Sequence, residues 1–173
     1  MESNILNESM MSLLLEEAAW KDLSREIAWT EDLLEKYKKN LDWEAVSGNG
    51  NILWTVSMLE KFRNLIDWKE MSSTYQDSLL CPEVVEKFAD YWDWTELSGN
   101  NHLPIETVEK MADRIVWKQL LNTYHSTDEK FFSKEFLKKF EKYIPASILR
   151  DSNLWDQLVE DKKKEIQKSL CQC

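Results

Sequence analysis

The residues best equipped for chemistry gather in the stretch NTYHSTDEK, 122–130. Tyr124, His125, Ser126, Thr127 and Asp128 set an imidazole that titrates near neutrality beside hydroxyls and a carboxylate. Such a group serves proton transfer or ligand hydrogen bonding when a fold brings it together. The same letters also read as structure, because Ser126 to Glu129 has the form of a capped helical turn. The other histidine, His102, has no second histidine or cysteine at metal-ligand spacing, and neither has His125.

Other chemistry has less to stand on. The dipeptide Glu-Lys recurs at 35–36, 60–61, 86–87 and 109–110. A hydrolase needs one distinct pair of carboxylates, and a recurring column makes no single acid distinct, so a solvated ridge is expected there. The chain has no glycine-rich phosphate loop, HExxH, GxSxG or paired CxxC, and no cofactor or metal is expected. Cys81, Cys171 and Cys173 form neither a disulfide framework nor a zinc set, which suits a reducing compartment. The LLL at 13–15 is too short for a signal or a membrane span, so a cytoplasmic protein away from membranes is expected.

Charge narrows the partners. Against 22 basic residues stand 32 acidic ones, a net −10 that repels phosphate backbones and anionic lipid and disfavours nucleic acid. Up to Glu35 there are nine carboxylates and only Lys21 and Arg25 to offset them, so −7 lies at one end. A basic protein partner docking near Glu2, Glu8, Glu31 and Asp32 is expected on this ground, with Tyr124, His125 and Asp128 as a second possible contact; the sequence leaves the oligomeric state open.

The elements that position these residues repeat. LDWEAVSGN (41–49), IDWKEMSST (66–74) and WDWTELSGN (92–100) share the order apolar, Asp, Trp, two variable residues, apolar, Ser. Looser copies extend the series to six, with Trp20, Trp43, Trp68, Trp94 and Trp117 in the tryptophan column and Ala146 closing it. The spacings are 23, 25, 26, 23 and 29 residues, a period at which each unit is one supersecondary element that cannot bury its own apolar face. With three glycines, three prolines and little strand-like alternation, the chain reads as all-α: a solenoid of about six short helix pairs over about residues 5–150, a capping helix over about 151–170 and a tail at 171–173, in a single domain.

Each unit divides into a longer and a shorter helix. Thr30, Thr55 and Ser133 are placed to cap the longer helices, and Pro82 and Pro104 to sit in a first turn. The Asp before each tryptophan is the expected cap of the shorter helix, with Glu70 and Glu96 at capping-box spacing from Asp67 and Asp93. Gly48 and Gly99 suit a left-handed helix end. The column tryptophans are expected to wedge between successive pairs, and Trp92 to join Leu41 and Ile66 in the core. Trp54, aligned with Trp29, Leu80, Leu103 and Phe132 at the start of the longer helix, is expected to be more exposed. Leu154, Leu158, Val159, Ile166 and Leu170 form the stripe by which the last helix would cover the stack.

The DW pairs at 42–43, 67–68 and 93–94, with Ser-Gly-Asn at 47–49 and 98–100, resemble arrays of short tryptophan-containing helical repeats of the DWxxLSxN kind. Ala19, Val116 and Pro145 depart from that pattern. The resemblance implies a helical array and carries no activity. The function expected is non-catalytic binding of a protein. An enzyme or small-molecule binder using 122–130, and an acidic mimic of nucleic acid, are the alternatives.

Overall fold

The computed structural model of the chain describes residues 8–123 and 131–171. Among them are thirteen α-helices and one 3₁₀ turn, with no strand. The chain divides into two compact units, Met1–Thr74 and Tyr75–Cys173.

In the first unit α1 (Glu8–Glu26) is followed by α2 (Glu31–Tyr37), α3 (Trp43–Ser47), α4 (Val56–Phe62) and α5 (Trp68–Ser72). Helices of five to seven residues do not hold by themselves in water, so caps and burial must support them. The Oγ1 atoms of Thr30 and Thr55 accept the N–H groups of Leu33 and Met58. The Asp42 carboxylate accepts Ala45 N–H at 2.9 Å, and that of Asp67 accepts Lys69 and Glu70 N–H at 3.0 and 3.1 Å. Burial comes from one face of each helix: Leu34, Leu59 and Met71 are wholly enclosed.

Two hydrogen-bond patterns recur. Within a pair, the column tryptophan donates from Nε1 to the carbonyl five residues earlier: Trp43 to Lys38 at 3.0 Å and Trp68 to Arg63 at 2.8 Å. Between pairs, a buried serine at the end of the shorter helix works in both directions. Ser24 Oγ donates to Trp20 O at 2.7 Å and accepts Asp42 N–H at 3.0 Å. Ser47 Oγ donates to Trp43 O at 2.6 Å and accepts Asp67 N–H at 2.9 Å. The amide of a capping residue lies outside the helix ladder and needs a partner from elsewhere, which the preceding serine supplies. Asn49 adds a further tie, its Nδ2 donating to Ser24 O and Ile27 O.

The second unit runs through α6 (Asp77–Leu80), α7 (Pro82–Lys87), α8 (Trp94–Ser98), α9 (Ile105–Lys110), α10 (Trp117–Asn122), α11 (Lys134–Phe140), the 3₁₀ turn Glu141–Tyr143, α12 (Ala146–Arg150) and α13 (Asn153–Leu170). Pro82 is the first helical residue of α7, whereas Pro104 is the cap of α9, one place before its first turn. The same bonds return: Trp94 Nε1 donates to Ala89 O at 2.9 Å, Trp117 Nε1 to Ala112 O at 3.1 Å, and Val116 N–H to Ser98 Oγ at 2.9 Å. Val116 lacks a capping side chain yet keeps the backbone bond, so the serine link does not require aspartate. At the next step Leu121 holds the serine position, wholly buried, and Pro145, which has no N–H, holds the aspartate position. Acceptor and donor are lost together, so neither is stranded.

Four local expectations are corrected. Gly48 and Gly99 have φ of −85° and −84°, so neither takes the left-handed end. At Gly48 the constraint is space, because a Cβ there would stand 3.1 Å from Glu70 Oε2. The reciprocal arm of the Asp67–Glu70 capping box is displaced, since Asp67 N–H is directed to Ser47. Trp54 is 4% exposed and buried, as Trp29 is in the same unit and Leu80 and Leu103 are in the second, while Trp43, Trp68 and Trp94 are half-buried. The column tryptophans sit beside surface carbonyls that their Nε1 atoms must reach, whereas the start of each longer helix lies inward. Their rings still touch the next pair, Trp20 against Tyr37, Trp43 against Phe62 and Trp117 against Phe140, at centroid distances of 5.6, 5.3 and 5.0 Å. Finally, the apolar stripe of α13 is covered only at its start: Leu154 is enclosed, Leu158 and Val159 are half-buried, and Ile166 and Leu170 are exposed. An 18-residue helix outruns its neighbours α10 and α12, of six and five residues.

Burial sets a stability order opposite to the one expected from alignment. Trp54→Ala should cost about 3–5 kcal/mol, and Trp68→Ala about 2, from a smaller buried area plus the bond to Arg63. Urea unfolding of the two variants measures this; a loss at Trp68 equal to or above that at Trp54 would contradict it.

Candidate interaction surface

The Glu-Lys ridge is solvated, but it is more than a row of free charges. Lys61 Nζ reaches back to Glu31 at 3.2 Å and Glu35 at 3.8 Å in the first unit. Lys110 pairs with Glu86 at 2.7 Å, and Lys139 with Glu109, in the second. Each lysine thus bridges to the pair before it. The hydrogen bond that Lys38 donates holds the Glu35 carboxyl below its ordinary range, and the one that Lys110 donates to Glu86 holds the Lys110 ammonium above its own. Exposed pairs of this kind add little stability, but they engage the acids of the ridge with the protein's own cations.

That arrangement sorts the residues singled out by sequence. Glu31 is engaged with Lys61, and Asp32 beside it in the first turn of α2 is exposed. Glu8 opens α1 and is exposed. Glu2, Tyr124, His125 and Asp128 lie outside the described residues. Trp20, Trp43, Trp68, Trp94 and Trp117 are spread along the chain as ties rather than brought to one place; Trp117, stacked on Tyr143 at 5.4 Å, is the buried member of the column. His102 is exposed, its ring 6.4 Å from Tyr75.

An open cleft of about 410 Å³ lies in the second unit, with Ile105, Phe136 and Phe140 as its apolar lining. Glu109, Ser133, Glu135 and Lys139 complete its wall. Glu109 and Lys139 pair with one another, and the cleft suits an apolar group more than a charged one. Among the described residues no group of three His, Cys, Asp or Glu side chains is placed to hold a metal ion, and no helix is long and apolar enough to cross a membrane.

A further exposed surface lies at the start of α1. Every residue from Glu8 to Ala19 is exposed, including Met10, Met11, Leu13, Leu14 and Leu15. Met10, Leu14 and Ala18 follow one another at helical spacing, with Met11 and Leu15 alongside, so α1 presents a broad apolar stripe. Glu8, Glu16 and Glu17 accompany it, and no basic residue occurs before Lys21. A signal was present in the LLL run, because three successive leucines fall on different faces and one neighbour cannot bury them all. At the other end of the described chain, Trp155, Val159, Ile166 and Leu170 make a second stripe along α13. Away from it, Glu165 bonds to Lys134 at 2.5 Å and Lys162 at 2.8 Å, and these hydrogen bonds, Lys134 first, draw its pKa down to about 2.

No family model matches the chain, and neither a curated protein nor a solved structure matches it. Its surfaces have to be read from their own chemistry.

The Glu165 tether has a defined pH window. A depressed carboxylate favours the tethered state above its ordinary value of 4.5 and loses that effect as pH falls toward about 2. A carbon-detected NMR titration of the Glu165 carboxyl should show the low midpoint, and Lys134→Met should move it back toward 4.5. A midpoint near 4.5 in the unaltered protein would contradict the tether.

Proposed function

We propose that this protein is a non-catalytic protein–protein interaction module, a scaffold of about six short helix-pair repeats whose docking surface is the exposed N-terminal part of α1. The observation that carries the reading is that residues 8–19 are exposed throughout, with five large apolar side chains among acids. Apolar patches of this kind mark contact surfaces in water-soluble folds. The recurrence of the tryptophan–carbonyl and serine–amide bonds in each unit supports the repeat architecture.

Electrostatics selects the partner class. An apolar stripe set among Glu8, Glu16 and Glu17 best accepts an amphipathic helix with basic flanks, and the field of the acidic N-terminal region steers it there. The acidic-mimic reading has less support, because Glu35, Glu86 and Glu109 are paired with lysines of the same chain. The free thiols of Cys81 and Cys171 suit the reducing compartment in which we place the module. A second reading, capture of a small apolar ligand, is favoured by the cleft at Ile105, Phe136 and Phe140.

Capture of partners from cell extract, compared between the unaltered protein and two variants, tests the proposal. Leu14→Ser/Leu15→Ser should abolish the specific partners, and Glu16→Gln/Glu17→Gln should weaken them about threefold to tenfold at low salt, with less effect once the Debye length falls to about 3 Å near 1 M. The same partners recovered at the same level with Leu14→Ser/Leu15→Ser would overturn it.

A further inference from the structure

The two exposed helical stretches complement each other. Residues 8–19 carry Glu8, Glu16 and Glu17 with no base, a net of three negative charges. Residues 162–170 are also exposed throughout and carry Lys162, Lys163, Lys164 and Lys168 against Glu165, a net of three positive charges. Lys162 and Lys163 flank the stripe of Trp155, Val159, Ile166 and Leu170, one on each side by helical spacing. Among the described residues, Lys162 pairs with Glu165 and Lys163 with Glu160, each an exposed neighbour on the same helix. Such pairs exchange readily for an intermolecular one.

We infer that the α1 stripe of one molecule docks on the α13 stripe of a second copy of this chain. The inference rests on the reading of α1 as a docking surface and names its partner. Antiparallel packing of the two stripes sets Glu17, at the edge of the α1 stripe, near Lys162 and Lys163, with the helix dipoles opposed, while Glu16 and Lys168 lie on the far faces of their helices. The contact joins two different faces, so each molecule keeps one α1 and one α13 face to offer, and either a reciprocal pair or an extended chain follows. One helix laid on another is small beside the roughly 1,600 Å² of a standard interface, so the dissociation constant should be on the order of 10–100 μM.

Sedimentation velocity of the full chain over a concentration series reads this directly. The unaltered protein should associate. Leu14→Ser/Leu15→Ser and Ile166→Ser/Leu170→Ser should each be monomeric with unchanged far-ultraviolet circular dichroism, since all four side chains are exposed. Mixed in equal amounts, the two variants should form a complex, because each supplies the face the other lacks. Lys162→Glu/Lys163→Glu should weaken association about tenfold or more, and adding Glu17→Lys should restore it in part. This charge exchange isolates the contact from the general repulsion between two chains that each carry −10. A monomeric unaltered protein, association of either serine variant at the unaltered level, or a mixture that stays monomeric would overturn the inference. If the chain is monomeric but extract capture still requires Leu14 and Leu15, the docking surface stands and only its assignment to a second copy is lost; if both fail, so does the proposed function.

Discussion

Successive helix pairs are joined through one small buried group, the serine hydroxyl that ends a shorter helix. It donates to the carbonyl four residues back and accepts the amide of the next unit's capping residue, as Ser24 and Ser47 do. A helix of five residues has too few internal bonds to stand alone, and its first amides are the groups water would otherwise have to satisfy. By holding one of those amides, the serine sets where the next short helix begins. The substitution pattern follows from this requirement. Val116 retains the bond without aspartate, while Leu121 and Pro145 drop the acceptor and the donor in the same step.

The tryptophans do a related job on a shorter range. The indole N–H groups of Trp43, Trp68, Trp94 and Trp117 each close the turn between the two helices of a pair, and the rings of Trp20, Trp43 and Trp117 lean on an aromatic of the following one. That geometry keeps Trp43, Trp68 and Trp94 half-buried, while Trp29 and Trp54 in the first unit and Leu80 and Leu103 in the second are enclosed. On the outer ridge, lysines reach back to the preceding glutamates. Backbone, indole and ridge charges are therefore largely spent on joining units. Among the described residues, exposed apolar side chains gather at the start of α1 and along the second half of α13.

Local signals were legible in the sequence and relational ones were not. Thr30, Thr55, Asp42, Asp67 and Asp93 act as caps because capping is decided within three or four residues. Leu41, Ile66 and Trp92 are buried as their shared column implied. The partner of each serine, by contrast, lies 18 to 20 residues away, and no local pattern announces it. The nearest approach to Gly48 is a carboxylate oxygen of Glu70 from the next pair, and the burial of Trp54 depends on what stacks over it. The candidate surface divides in the same way. The acids near the N-terminus were readable as charge, yet the engagement of Glu31 by Lys61 is a contact across thirty residues. The exposure of Leu13 to Leu15 depends on which elements pack against α1, which composition does not record.

Amide hydrogen exchange at the capping residues tests the serine link most directly. The N–H groups of Asp42, Asp67 and Val116 should exchange at least about tenfold slower than unstructured amides, although capping amides have no partner inside their own helix. Ser47→Ala should release Asp67 while leaving Asp42 and Val116 protected. Exchange of Asp67 at the unstructured rate in the unaltered protein, or protection of Asp67 that survives the loss of the Ser47 hydroxyl, would contradict the account.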